Sequence, residues 1–245
     1  NGLEGLIRAE SSKCIGILNG IDSEVWNPET DSYVIKTYSE KTVKSGKKSN
    51  KAWLCKEFEL DPSRPLVVFI GRLVGEKGAD LFPRAFRLAL QHTNVSILLL
   101  GSGIKSVENE LIRMKEPFRG IFNTYIGYNE TLAHRMYAGA DFLLMPSRVE
   151  PCGLNQMYSM RYATIPVVRS TGGLIDTVPD ISNGGNGISF ENAEEEDIVH
   201  AIGRSIELYT NKNAFYNLRN HISKLDYSWG SSAFKYAQLY KNFIN

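Results

Sequence analysis

The sequence predicts an α/β fold: a doubly wound parallel sheet with helices on both faces. Three observations carry that reading. Short apolar runs rich in Val, Ile and Leu recur along the chain, each run empties into a polar or glycine-bearing loop, and each loop opens into a segment of helical periodicity. Strands buried on both faces read as near-continuous apolar runs, and intervening helices impose parallel pairing through right-handed crossovers. With 245 residues, 42% of them hydrophobic and 22% charged, the chain is long enough to bury one substantial core.

Residues 1–13 read as a short amphipathic piece that starts without a cap. Cys14-Ile15-Gly16-Ile17-Leu18 follows as a strand and Asn19-Gly20 as a turn. Residues 23–50 are polar, with Trp26-Asn27-Pro28 as a loop anchor. From Tyr38 to Lys51 five lysines face one glutamate. That excess reads either as a solvated linker leading into a helix or as a field that attracts an anion. A helix is expected over 51–60, closed by Asp61-Pro62.

The repeating unit begins at Leu66. Residues 66–70 form a strand, and 71–78 a loop. Leu81, Phe82, Ala85, Phe86 and Ala89 then fall on one helical face. Strands over 95–100 and 121–126 are each followed by a helix, over 106–115 and 130–138. The run 141–145 is a fourth strand, with a helix over 154–162, and 165–168 is a fifth that ends in Ser170-Thr171-Gly172-Gly173. Residues 187–190 supply a sixth. The last fifty residues are helical: Ile198, Ile202, Ile206 and Tyr209 share a face, as do Ala233, Tyr236, Tyr240 and Phe243.

Composition narrows the partners. A formal net charge of +1 leaves no electrostatic footprint for nucleic acid or for a membrane surface. No apolar run approaches the roughly 18 residues of a membrane-spanning helix, and residues 1–13 lack the pattern of a signal peptide. Cys14, Cys55 and Cys152 are odd in number and lack metal-ligand spacing, which points to a reducing compartment and to no metal.

Chemistry concentrates at strand ends, where open α/β sheets bind ligands. Arg72 and Lys77 lie among the glycines of the first strand-to-helix loop. Two such cations suit a diphosphate, guanidinium as a fork and ammonium as a point charge; otherwise they are surface cations. The loop is not a Walker A sequence, since no Gly-Lys-Ser/Thr follows at the required spacing. Gly101-Ser102-Gly103 reads as a tight turn. Glu150, leaving the fourth strand, either accepts hydrogen bonds from sugar hydroxyls or stabilises its loop. Tyr128 either stacks on a base or packs in the core. Cys152 has no histidine near it in sequence to make it a nucleophile. His92, His134, His200 and His221 are dispersed on helices, and Met145, Met157 and Met160 read as packing residues.

In combination these segments are far more specific. Gly71-Arg72-Leu73 with Lys77-Gly78, Ile126-Gly127-Tyr128, Pro146-Ser147-Arg148 with Glu150-Pro151-Cys152-Gly153-Leu154, and Thr171-Gly172-Gly173-Leu174 occur in one order. In residues and spacing they closely resemble the C-terminal half of bacterial glycogen synthases and plant starch synthases. Ile17-Leu18-Asn19-Gly20-Ile21-Asp22 with Trp26-Asn27-Pro28 resembles that family's entry into its second domain.

The resemblance implies the two-domain GT-B fold and retaining transfer of glucose from ADP-glucose to the non-reducing end of an α-1,4-glucan, without metal or cofactor. It implies that Arg72 and Lys77 grip the distal phosphate of the ADP and that Tyr128 lies against the adenine. Gly71 would belong to the donor site, Thr171, Gly172 and Gly173 would help line its phosphate end, and Glu150 with the backbone of Cys152, Gly153 and Leu154 would hold the glucose. Many related enzymes carry a second glutamate eight residues after the first; here that position is Tyr158. The resemblance further implies that residues 1–13 are the tail of an N-terminal domain carrying most of the acceptor groove. Residues 14–230 would then form the nucleotide-sugar domain, and 231–245 a helix crossing back to that other domain. The expected location is the bacterial cytoplasm or the plastid stroma. The competing expectations are a standalone nucleotide- or glucan-binding module without turnover, and another GT-B enzyme such as a sucrose-type synthase or a sugar-nucleotide epimerase.

Overall fold

The computed structural model describes residues 2–244; Asn1 and Asn245, which fall in the expected terminal segments, lie outside the described residues. Strands β1 (Leu66–Ile70), β2 (Ser96–Gly101), β3 (Phe122–Ile126), β4 (Phe142–Met145), β5 (Ile165–Arg169) and β6 (Ile188–Phe190) form one 6-stranded sheet in the order β3-β2-β1-β4-β5-β6. Every neighbouring pair is parallel. Strand order reverses between β1 and β4, which opens a crevice at their carboxyl ends. β1, β2 and β4 are buried almost throughout, as strands covered on both faces must be.

Helices α1 (Glu4–Ala9), α2 (Val43–Glu57), α3 (Phe82–His92), α4 (Lys105–Met114), α5 (Glu130–Gly139), α6 (Asn155–Arg161), α7 (Gly173–Thr177), α8 (Glu195–Thr210), α9 (Lys212–Ile222) and α10 (Trp229–Ile244) complete the chain. α3 packs against α4 and α8 in one layer, while α2, α5, α6 and α9 form the other. The apolar stripe expected on α3 is the buried one: Phe82, Ala85, Phe86 and Ala89 are fully covered. Phe82 stacks on Phe86 at 4.8 Å and meets Phe69 of β1 edge-on at 4.6 Å. The face of Tyr236, Tyr240 and Phe243 on α10 is exposed instead, and α1 buries no residue.

Three expectations are corrected. Residues 14–18 are not a strand of the sheet: Ser232 Oγ donates to Leu18 O at 2.8 Å, and just beyond them Ile21 forms an isolated bridge with Ser228. Asn19-Gly20 is not a turn. Gly20 is there because two backbones meet, and a Cβ at that position would overlap the backbone of Trp229.

The third correction concerns the lysine-rich stretch. α2 starts at Val43 rather than Lys51, and Lys47 and Lys51 are buried. Lys47 Nζ donates to the carbonyls of Tyr137 and Ala138, at the end of α5, and of Tyr162, just after α6, at 3.1, 3.1 and 2.8 Å. Helix C-termini leave such carbonyls unpaired, and the Lys47 amine, whose pKa burial pushes well below its usual value, donates to them.

Lys51 Nζ meets Asp141 Oδ2 at 2.7 Å, and Arg219 of α9 meets Asp141 Oδ1 at 2.7 Å. The same carboxylate accepts from the Leu66 N–H at 2.8 Å, so it joins the starts of β1 and β4. Burial acts to raise the Asp141 carboxyl, but Arg219 and Lys51 overcome it and hold the group below its usual range.

Asp141→Asn leaves two buried cations uncompensated and is expected to cost about 3–5 kcal/mol in urea unfolding. The depressed carboxyl contributes its full stability above the ordinary aspartate pKa, about 3.9, and loses it as pH falls through the folded value. The wild-type unfolding midpoint therefore drops as pH is lowered below about 4, more steeply than that of Asp141→Asn. A variant within about 1 kcal/mol of wild type at pH 7 would show the triad to be dispensable.

Candidate active site

β1 releases the chain into Gly71-Arg72-Leu73-Val74 and then a single 3-10 turn over Gly75–Lys77. Three backbone bonds fasten the start of this loop to the end of β2 and the loop after it, Gly71 N–H to Leu100 O at 3.0 Å, Leu73 N–H to Ser102 O at 2.8 Å and Ile104 N–H to Leu73 O at 2.8 Å. Gly101 and Gly103 permit that approach, since a Cβ on either would overlap the carbonyl oxygen of Gly71 or Leu73. Arg72 is exposed, with its nearest carboxylate, Glu76, at 3.7 Å. Gly71, Arg72, Gly101, Ser102, Gly127 and Tyr128 line a cavity of about 270 Å³. Tyr128 is 85% exposed, which removes the alternative of a core tyrosine.

The loop after β4 brings Glu150 against the loop after β1. Lys77 Nζ lies 2.6 Å from Glu150 Oε2, and Ser147 Oγ donates to the same oxygen at 3.1 Å. Glu150 is buried, and its Oε1 has no hydrogen-bond partner among the described residues. Gly78 adopts φ +70° with its Cα against the Pro146 carbonyl, where a side chain has no room.

The loop after β5 closes the third side. Gly172 adopts φ +49°, and a Cβ on it would overlap the Glu150 carbonyl oxygen. The Gly173 N–H donates to that oxygen at 3.0 Å. Beneath both loops Gln156 Nε2 donates to the carbonyls of Cys152 and Gly153 at 3.1 and 3.0 Å, and to Thr177 Oγ1 at 3.1 Å. Thr177 Oγ1 in turn donates to Gly173 O at 2.7 Å.

The expected residues therefore fall into two adjoining groups. Gly71, Arg72 and Tyr128 line the cavity; Lys77, Glu150, Cys152, Gly153, Leu154, Thr171, Gly172 and Gly173 belong to the loops beside it. Asn155 joins the groups, lining the cavity while its Nδ2 donates to Ile70 O at 2.7 Å. Asn155, Ser147 and Gln156 were missed from sequence, where an isolated amide or hydroxyl in a loop or at a helix start carries no distinguishing pattern. Tyr158 stands off the site, stacked on Trp26 at 3.9 Å, and Trp26 stacks on buried His134 at 3.9 Å. Cys55 is buried and its thiol is pushed up to about 11, so it carries no nucleophile.

A family model described as "Glycosyl transferases group 1" matches residues 54–225. The chain is 49% identical over 246 residues to a glycogen synthase of Flavobacterium johnsoniae, covering 100% of this chain and 52% of that protein. It is 42% identical over 247 residues to a glycogen synthase of Bacillus cereus, covering 99% and 52%. It thus spans about half the length of the curated relatives it matches. Among solved structures, the catalytic domain of starch synthase IV from Arabidopsis thaliana, bound to ADP and acarbose, superposes with a TM-score of 0.88 at 37% identity over 98% of this chain and 51% of that one. A sucrose-phosphate synthase from Thermosynechococcus elongatus, 18% identical, superposes with a TM-score of 0.67 over 98% of this chain and 56% of that one, a likeness of fold alone.

The site's glycines make a testable pair with a glycine elsewhere. Gly184 adopts φ +75° with open space around it, so Gly184→Ala should cost only backbone strain, about 1–2 kcal/mol. Gly172→Ala adds the overlap with the Glu150 carbonyl and should cost a further ~1–3 kcal/mol in urea unfolding. Equal losses would mean that the Glu150 loop yields freely.

Proposed function

The chain belongs to the group 1 glycosyl transferases, and from that premise we propose that it is the nucleotide-sugar-binding half of a retaining glucosyltransferase of the glycogen and starch synthase type. In this reading the full-length protein moves glucose from ADP-glucose to the non-reducing end of an α-1,4-glucan, and it has the GT-B architecture of two Rossmann-like halves. The single observation that carries the reading is the meeting of Lys77 with Glu150 at 2.6 Å where the strand order reverses.

The adenine lies in the cavity against Tyr128, and the diphosphate runs between Arg72 and Lys77. An ammonium has three donors; Lys77 gives one to Glu150 and keeps the others for phosphate oxygens. Glu150 turns its unpartnered Oε1 to the hydroxyls of the glucose. The backbone of Cys152, Gly153 and Leu154 holds the other side of the sugar, and Thr171, Gly172 and Gly173 border the phosphate. As the glycosidic bond to the diphosphate breaks, positive charge develops on the sugar ring and negative charge on the departing ADP. Fixed cations at that charge act where such preorganised electrostatics is most effective. α1 and the exposed face of α10 are the segments that meet the other half, which carries the acceptor groove.

In the full-length protein, Lys77→Ala and Arg72→Ala should each lower kcat about 100-fold or more with modest change in glucan affinity, as for a lost transition-state donor. Transfer from labelled ADP-glucose to glycogen measures this. Activity within about threefold of wild type for both variants would take the two cations off the diphosphate. Competition between ADP-glucose and UDP-glucose in the same assay checks the donor.

Glu150→Gln separates sugar from nucleotide. It should damage transfer more than ADP binding, because its open oxygen is assigned to sugar hydroxyls. Calorimetry with ADP and a transfer assay on one preparation decide the matter, and equal losses would put Glu150 on the nucleotide or in the scaffold.

A further inference from the structure

Arg148 takes no part in the chemistry above, yet it makes the densest set of polar contacts between the two loops. Its guanidinium forks onto Asp80, Nη1 to Oδ1 at 2.5 Å and Nη2 to Oδ2 at 2.8 Å, and Nη1 also donates to Gly75 O at 2.7 Å. The N–H groups of Arg148 and Val149 both donate to Glu76 O, at 2.8 and 3.3 Å. All these contacts end on residues 75–80, the segment that carries Lys77.

The clamp is itself held. Arg169, at the end of β5, donates from Nη1 to the carbonyls of Ser147 and Arg148 at 3.2 and 3.3 Å, and from Nε to Glu191 O at 2.8 Å. The Lys77 segment thus hangs on the Glu150 loop, and that loop on the ends of β5 and β6. Residues 75–77, which include Lys77, form one 3-10 turn with no buried residue, and burial resumes only at Gly78 and Ala79.

The fork is half solvated, with side-chain exposures of 37% for Arg148 and 47% for Asp80. Exposed ion pairs contribute little to stability, about 0–1 kcal/mol. What a bidentate guanidinium–carboxylate pair supplies is fixed direction and distance. We propose that Arg148, locked by Asp80, is a positioning residue that sets Lys77 at the distal phosphate of a bound nucleoside diphosphate. It acts through the 75–80 segment without touching the ligand. The inference rests on the nucleotide-sugar reading of the site.

Discrimination between ADP and AMP in the full-length protein, measured by calorimetry, tests it, because only ADP has the phosphate that Lys77 would reach. Arg148→Met should weaken ADP binding about tenfold or more, the scale of one charge-assisted hydrogen bond, and leave AMP within about twofold. Asp80→Asn should act in the same direction, and Arg148→Lys should not rescue, since an ammonium cannot span both oxygens of Asp80. In a Lys77→Ala background Arg148→Met should cause no further loss. A purely structural role would lower ADP and AMP affinity together, or add to the Lys77→Ala loss; either result overturns the proposal, as does unchanged ADP binding by Arg148→Met. Wild-type protein that binds ADP no better than AMP would overturn the nucleotide-sugar reading, and this inference with it.

Discussion

The structure depends on β1 and β4 lying side by side although some seventy residues separate them, and Asp141 is what fixes that pairing at its base. Its carboxylate and its N–H close a two-way contact with Leu66 at the start of β1, at 2.8 and 2.9 Å, while Lys51 and Arg219 bring in α2 and α9. The register Val67 with Phe142 and Val68 with Leu143 follows directly. At about 3.3 Å per residue, the two strands carry that register to their far ends, where Lys77 and Glu150 meet. One ion pair at the top of the sheet is thus set by another at its base. The pair at the base is buried and structural; the pair at the top lies in the strand-end loops beside the cavity.

Cations in this chain divide by what surrounds them. Lys47 and Lys51 lie under helix ends and beside a buried carboxylate, where an unpaired charge would be costly. Arg148 and Arg169 hold strand-end loops together from partly solvated positions. Arg72 is exposed, with only a distant carboxylate at 3.7 Å, and borders the cavity. Lys77 lies between these extremes, held by Glu150 yet with donors to spare. Of these six, Arg72 is the least committed to the fold, and Lys77 spends one donor on Glu150.

Much of this was legible in the sequence, for definite reasons. The strands β1 to β6 are short apolar runs ending in polar loops, and parallel burial writes that pattern into the residues themselves. The strand-end motifs named the loops, and the loops do converge. What failed had no local signal. Residues 14–18 have the composition of a strand, but their neighbour is the 227–232 segment rather than a sheet edge. Lys47 and Lys51 of α2 read as solvated, as the exposed Lys44 and Lys48 are, because charge alone is visible along a chain. Most of their acceptors lie 90 to 117 residues away, at Asp141 and around the ends of α5 and α6. The Arg148–Asp80 fork and the Gln156–Thr177 link were illegible for the same reason: each joins residues distant in sequence through side chains that, read singly, suggest only polarity.

The glycines of the site were legible as residues but not in their purpose. Gly78 and Gly172 accept left-handed backbone angles, and at Gly78, Gly101, Gly172 and Gly173 a side chain would press on a neighbouring loop's carbonyl. These close approaches turn carbonyls and N–H groups of three loops toward one another, so that Glu150 O is held by the Gly173 N–H while its carboxylate is left to Lys77 and Ser147. Backbone held in sparsely populated angles persists only where its surroundings over-determine it. Here the surroundings are Gln156 and Thr177 below, Arg148 and Arg169 at the side, and the buried strands beneath. A carboxylate oriented from so many directions needs little rearrangement to present its open oxygen, and a polar site gains most from order that exists before the ligand arrives.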